Sequence, residues 1–361
     1  MTVRRRPEQV RKKVLVVLGL LGLAVVFAAC APNATQDTLQ PAGPYARKEK
    51  ELFIPVFWVA TAVFVIVEGL IVFFVFKYRH REGRDRLPPQ IHGNTRVEIG
   101  WTILPALVLA VVMVPTVATI WDLARTPPSD ALNVTVIGQQ WWWKFQYTDA
   151  DMQTAAEAPG PITTANELVI PTGRVVYLTV TSGVGGIGDA EVIHSLWVPE
   201  LAGKQDAIPN HENHILLQAD VPGIYEGQCA EFCGLSHAIM KWHVRAVTPE
   251  DFAAWSAGQK EDAITPTGGL AASGFDTFMN GSCVQCHAIQ GTPAQGIGGP
   301  NLTHFASRKC FAGCLLDNSN PEDIARWLRD PPAVKPGSFM PNYHLSEDQI
   351  QALVAYLQSL K

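Results

Sequence analysis

Two apolar stretches, Leu52 to Phe76 and Ile99 to Trp121, constrain this chain more than any other feature. Each exceeds the ~20 residues that carry a helix across a hydrocarbon core. The first holds one ionisable side chain, Glu68, and the second holds none. Pro55, Pro105 and Pro115 do not forbid helices there, because packing partners take up the freed carbonyls. Between the stretches, Lys77 to Arg86 carries five basic residues against Glu82 and Asp85. By the positive-inside rule that loop is cytoplasmic, so everything after Trp121 is external. Residues 31–126 thus read as a transmembrane helical hairpin.

The first 30 residues read as a signal sequence. Arg4, Arg5, Arg6, Arg11, Lys12 and Lys13 precede an apolar run, Val14 to Ala29, that suits a signal h-region. Ala28-Ala29-Cys30 resembles a lipoprotein signal, in which Cys30 is lipidated; simple cleavage and an uncleaved anchor are the competing readings. The 361 residues leave room for two folded domains beyond the membrane segments. Net charge is -5, and no basic patch interleaves with aromatics after the first hundred positions, so no nucleic-acid partner is expected.

After Thr126 the pattern changes to short β-prone runs: Val134 to Ile137, Glu167 to Ile170, Val175 to Val180, His214 to Gln218 and Trp242 to Val247. Pro-Thr-Gly, Gly-Gly-Ile-Gly and Val-Pro-Gly breakers separate them, which argues a sandwich or small barrel over 131–250. Its chemistry lies in Cys229-Ala-Glu-Phe-Cys233-Gly-Leu-Ser-His237-Ala-Ile-Met240. The two cysteines alone would read as an external disulfide. Soft sulfur with imidazole and a thioether is instead a ligand set for copper.

This segment resembles the binuclear copper A motif of cytochrome c oxidase subunit II. His194-Ser-Leu-Trp-Val-Pro and Lys204-Gln-Asp-Ala-Ile-Pro209 resemble two further stretches of that family. The resemblance implies a cupredoxin-like domain with copper held by the side chains of His194, Cys229, Cys233, His237 and Met240 and by the backbone carbonyl of Glu231. It also implies that the Glu231 carboxylate helps to bind magnesium at the contact with subunit I. Gln140-Trp141-Trp142-Trp143 matches the family too. Strand alternation puts Trp141 and Trp143 on one face and Trp142 on the other. The resemblance makes Trp141 the point where electrons enter, against the plainer reading of a buried aromatic cluster. Glu98, in Glu98-Ile-Gly-Trp-Thr-Ile-Leu-Pro, is implied to lie at the cytoplasmic mouth of a proton channel; a charge flanking a helix is the plainer reading.

Residues 251–270 are rich in Ala, Gly and Thr and read as a linker. Residues 271–361 then open on a haem attachment signature, Cys283-Val-Gln-Cys286-His287. A redox dithiol and half a zinc site are the competing readings, and no βαβ pattern surrounds the motif. The segment resembles class I cytochrome c, an all-α domain. That resemblance makes Cys283 and Cys286 the covalent haem anchors and His287 and Met340 the axial ligands. Met/His ligation raises the potential, as suits an electron carrier. Asn320-Pro321 and the capping box Ser346 to Gln349 open two helices, the last expected to pack on the domain's first helix.

Cys310 and Cys314 remain once the other five of seven cysteines are assigned. Outside the cytosol a disulfide is expected, within reach if the segment is helical, with two free thiols as the competing reading. A metal site there is disfavoured, since His304 is the only imidazole near in sequence. His80, His92, His211, His214, His243, His304 and His344 are left without a role. The combined resemblance is to subunit II of a caa-type haem-copper oxidase in a bacterial plasma membrane, its copper and haem domains external. It implies subunits I and III as partners and an upstream cytochrome or quinol–cytochrome c reductase as donor. Electrons would pass from haem c to copper A to subunit I, where oxygen is reduced with proton translocation. The rival readings are a structural quinol-oxidase subunit, opposed by the intact copper ligands, and a free-standing redox carrier, opposed by the two-helix anchor.

Overall fold

The computed structural model describes residues 14, 16–25, 34–79, 90, 92–154, 160–183 and 192–361. Cys30 lies outside them, as does most of the basic loop between the spans. Both apolar stretches are helices, α1 (Pro44–Tyr78) and α2 (Thr95–Leu123). At ~1.5 Å rise per residue, helices of 35 and 29 residues outrun a bilayer core. None of their most apolar windows is buried within the chain, so that surface is left for lipid or for other subunits. The extra length at the start of α1 docks the external domain. Ala46 is buried, with its N–H on the Leu201 carbonyl at 3.2 Å, and Arg47 pairs with Asp220. Lys48 reaches Asp122 in the last turn of α2.

Among the described residues, ten strands build the external β domain: β1 (Leu132–Gln139), β2 (Trp142–Tyr147), β3 (Ile162–Ala165), β4 (Glu167–Pro171), β5 (Val176–Ser182), β6 (His194–Trp197), β7 (Lys204–Ala207), β8 (Asn213–Leu217), β9 (Gly223–Cys229) and β10 (Lys241–Val247). They form two five-stranded sheets, β3-β2-β1-β5-β8 and β4-β10-β9-β6-β7. Strand β2 shows why the sheets face each other. Trp143, Phe145 and Tyr147 are fully buried, and the residues between them are only partly so. Trp242 of β10 meets Trp143 and Phe145 across the sandwich, with ring centroids 6.4 and 5.3 Å away.

The linker expectation fails in its first half. Pro249–Gln259 is a helix, α3, capped by Thr248, whose hydroxyl accepts from the Asp251 N–H. Phe252 is buried in the sandwich core, and Trp255 lies 5.2 Å from Tyr147. Two aromatics in an Ala-rich stretch suffice to dock it, a signal too sparse for composition to reveal.

The last domain packs α4 (Gly269–Asn280), α5 (Pro321–Arg329), the short α6 (Pro331–Val334) and α7 (Glu347–Leu357). Helices α4 and α7 cross at Gly274, where a Cβ would stand 2.0 Å from the Ala352 carbonyl oxygen. Phe275 and Phe278 set their edges on Tyr356 beside it. Both reciprocal bonds of the Ser346–Gln349 capping box are present. The domain is helical except for one hairpin, β11 (Cys310–Phe311) with β12 (Leu316–Asp317). The 309–315 segment is therefore not helical. Ala312, Gly313 and Cys314 all take positive φ to turn the chain within it.

Candidate metal centres

Strand β9 ends at Cys229, and a loop with one 3-10 turn, His237–Ile239, leads back into β10. That return brings the predicted copper ligands together. Cys229 Sγ stands 3.8 Å from Cys233 Sγ, 3.9 Å from His194 Nδ1 and 3.2 Å from the Glu231 carbonyl oxygen. Cys233 Sγ stands 3.7 Å from both His237 Nδ1 and Met240 Sδ. His194, Cys229, Cys233 and Met240 are buried. The His194 ring lies where a Cβ on Gly138 would be, 2.9 Å from that point, so β1 must carry glycine there.

Two buried thiols this close cannot both ionise without a cation. The hydrogen bond from Cys233, and after it that from His194, hold the Cys229 thiol down at about 3 against the effect of burial. The same contact pushes Cys233 up, and burial adds to it. A cation between the sulfurs removes the conflict, so the donor set fits thiolate-bound copper.

The haem signature lies on a 3-10 turn, Ser282–Gln285, after α4. His287 Nδ1 donates to the Pro300 carbonyl at 2.8 Å, which leaves Nε2 for a metal. Burial lowers the His287 pKa, which keeps the imidazole neutral and ligating. Gly299 lets the chain pass, since a Cβ there would stand 2.7 Å from the ring. One cavity is lined by Cys283, Cys286, His287 and Met340. Its walls are mostly apolar, with Arg308 buried among them, and burial drops that guanidinium to about 10. An apolar slot with thiols, an imidazole, a thioether and a buried cation fits a haem with its carboxylates.

The cavity also reaches Trp141 of the copper domain. Trp141 Nε1 and Gln140 Nε2 donate to the Cys233 carbonyl at 3.0 and 2.8 Å. On the other side the Trp141 ring stacks on Phe339, centroids 5.9 Å apart and planes within 6°. Lys335 Nζ donates to the Trp141 carbonyl and, at 3.0 Å, to the Ala312 carbonyl. Phe339 and Lys335 had no sequence signal of their own, although Phe339 adjoins the predicted ligand Met340. Glu98 is exposed and caps α2, accepting the Asn94 N–H at 3.2 Å. The Glu231 side chain is also exposed. Cys310 and Cys314 sulfurs are at bonding distance, 1.99 Å, with Cα atoms 4.8 Å apart.

A membrane-anchored cupredoxin-like sandwich with a Cys2His2Met site, joined to a domain with a haem attachment turn, defines a membrane-bound copper and haem redox protein. Residues 32–119 match the transmembrane domain of cytochrome c oxidase subunit II, 132–247 its periplasmic domain, and 271–361 cytochrome c. Cytochrome c oxidase subunit 2 of Alkalihalophilus pseudofirmus is 35% identical over 350 residues, 95% of this chain and 96% of that protein. Quinol oxidase subunit 2 of Bacillus subtilis is 33% identical over 257 residues, 70% of this chain and 74% of that one. The periplasmic domain of subunit II from Bradyrhizobium japonicum is 31% identical, covering 37% of this chain and 97% of that one, with a TM-score of 0.31. The chain belongs to the cytochrome c oxidase subunit II family and carries a cytochrome c domain at its C-terminal end. It is a bacterial membrane protein with its redox domains outside.

Proposed function

We propose that this subunit accepts electrons on a haem c and hands them through Trp141 to a binuclear copper A centre, which feeds subunit I for oxygen reduction coupled to proton translocation. The observation that carries this reading is the position of Trp141, stacked on the neighbour of Met340 and hydrogen-bonded to the Cys233 carbonyl. Cys283 and Cys286 would hold the haem covalently, and His287 and Met340 would ligate its iron. His194, Cys229, Cys233, His237, Met240 and the Glu231 carbonyl hold copper. A copper pair held by these donors would supply a one-electron carrier that reorganises little, which suits transfer. Lys335 fixes the Trp141 backbone, so the ring keeps its place between the two sites.

By the family resemblance the exposed Glu231 carboxylate helps to hold magnesium against subunit I, and Glu98 lies at the mouth of a proton channel there. Subunit III and an upstream cytochrome or quinol–cytochrome c reductase complete the assembly. Cys30 is a lipidation site, and Cys310–Cys314 is a disulfide. The domain limits follow the sequence except that α3 joins the copper domain. The complete copper ligand set supports this reading over that of a quinol oxidase subunit. Metal and pyridine-haemochrome analysis of the purified oxidase is expected to give two coppers and one haem c for each copy of this chain. A fully loaded preparation with no copper here, or a single one, overturns it.

A further inference from the structure

Among the described residues, a second group of soft donors lies apart from the predicted ligands, where the two external domains meet. The β11–β12 hairpin of the cytochrome domain lays both of its sulfurs against His243 on β10 of the copper domain. His243 Nδ1 is 3.6 Å from Cys310 Sγ and 3.6 Å from Cys314 Sγ. Its Nε2 is held 2.9 Å from Glu167 Oε2, and both residues are buried. All three donor atoms lie within 4.8 Å of one another. An imidazole with one nitrogen fixed by a carboxylate and the other aimed at sulfur has the orientation of a metal-ligating histidine. Two sulfurs and one nitrogen select a thiophilic d10 cation, Cu(I) or Zn(II).

We propose that His243, Cys310 and Cys314 form a mononuclear site for such a cation, bridging the copper and cytochrome domains, and that the sulfur–sulfur bond is its closed form. Opening breaks that bond. An external dithiol supplies two electrons and two protons and leaves as a disulfide, so two thiols form on the hairpin. Binding the cation then displaces both protons to water. The backbone around the site does not depend on the S–S bond. The Lys241 N–H donates to the Gly313 carbonyl at 3.2 Å, and Lys335 holds the Ala312 carbonyl. The hairpin therefore stays seated on β10, and the two thiols open beside the same imidazole.

The test uses the full oxidase with its haem and copper loaded. The protein is reduced with excess dithiol, desalted under argon and titrated with zinc alone, with copper content followed in parallel. The expected result is one additional zinc per chain that shields Cys310 and Cys314 from alkylation, read by peptide mass, and none without reduction. Cys310→Ser should abolish this zinc and leave copper and haem content unchanged. Glu167→Gln keeps the imidazole but loosens its anchor, and should weaken zinc binding by about tenfold. Zinc uptake that persists in Cys310→Ser belongs to the copper A ligands and overturns the proposal. Equal labelling of both cysteines with and without zinc overturns it too.

Discussion

Met340 is half-buried in the same cavity as Cys283, Cys286 and His287, and the covalent and axial roles proposed there fall on different atoms. Cys283 and Cys286 would hold the porphyrin whatever stands at position 340. Met340→Ala is therefore expected to keep its covalent haem while losing the sulfur-to-iron charge-transfer band near the red end of the spectrum. A variant that kept the band would remove Met340 from the iron. Neighbouring side chains divide the remaining work. Phe339 supplies the ring that stacks on Trp141, and Lys335 the cation that holds two carbonyls, one in each domain. Burial lowers the Lys335 pKa to about 7, and the nearby Cys233 sulfur opposes that drop.

At the scale of elements, the cytochrome domain depends on how closely α4 and α7 approach. Glycine at 274 permits backbone contact with Ala352, and the two phenylalanines of α4 close over Tyr356 on either side. Gly274→Ala must push the helices apart, and about 1–3 kcal/mol of the domain's stability should go with them. Gly268, which has nothing within 4 Å of a Cβ, provides the control. Thermal melts followed at the haem Soret band compare the two. An unchanged midpoint in Gly274→Ala would show that the crossing has room for a methyl group.

For the whole molecule, the fused cytochrome domain sits over Trp141, the proposed way to copper. Removing that domain should abolish turnover with a small-molecule reductant that feeds the haem, while copper content is retained. The cut belongs after Lys260. Cutting at residue 251 would strip α3 from the sandwich and expose Tyr147 and the core around Phe252. Full turnover by the chain ending at Lys260 with the same reductant would mean that copper is reduced directly.

The chain alone already determined its two spans, and it pointed to the donor cluster proposed for copper and to the haem attachment signature. These rest on local chemistry: apolar length set by the bilayer, and donor spacing within a dozen residues. Strand alternation would put Trp141 and Trp143 on one face; both are buried, but Trp141 stands in the turn before β2 with its ring on Phe339, whereas Trp143 packs on Trp242 inside the sandwich. The helix at 249–259 escaped composition because its stabilisation comes from Phe252 and Trp255 docking on a distant strand. His243 carries no sequence signal for a like reason. In sequence it stands far from Cys310 and Cys314, and only the packing of β10 against the hairpin brings its ring to 3.6 Å from both sulfurs. The stack of Phe339 on Trp141 has the same origin. Contacts between domains depend on how two finished surfaces meet, and tertiary structure alone decides that.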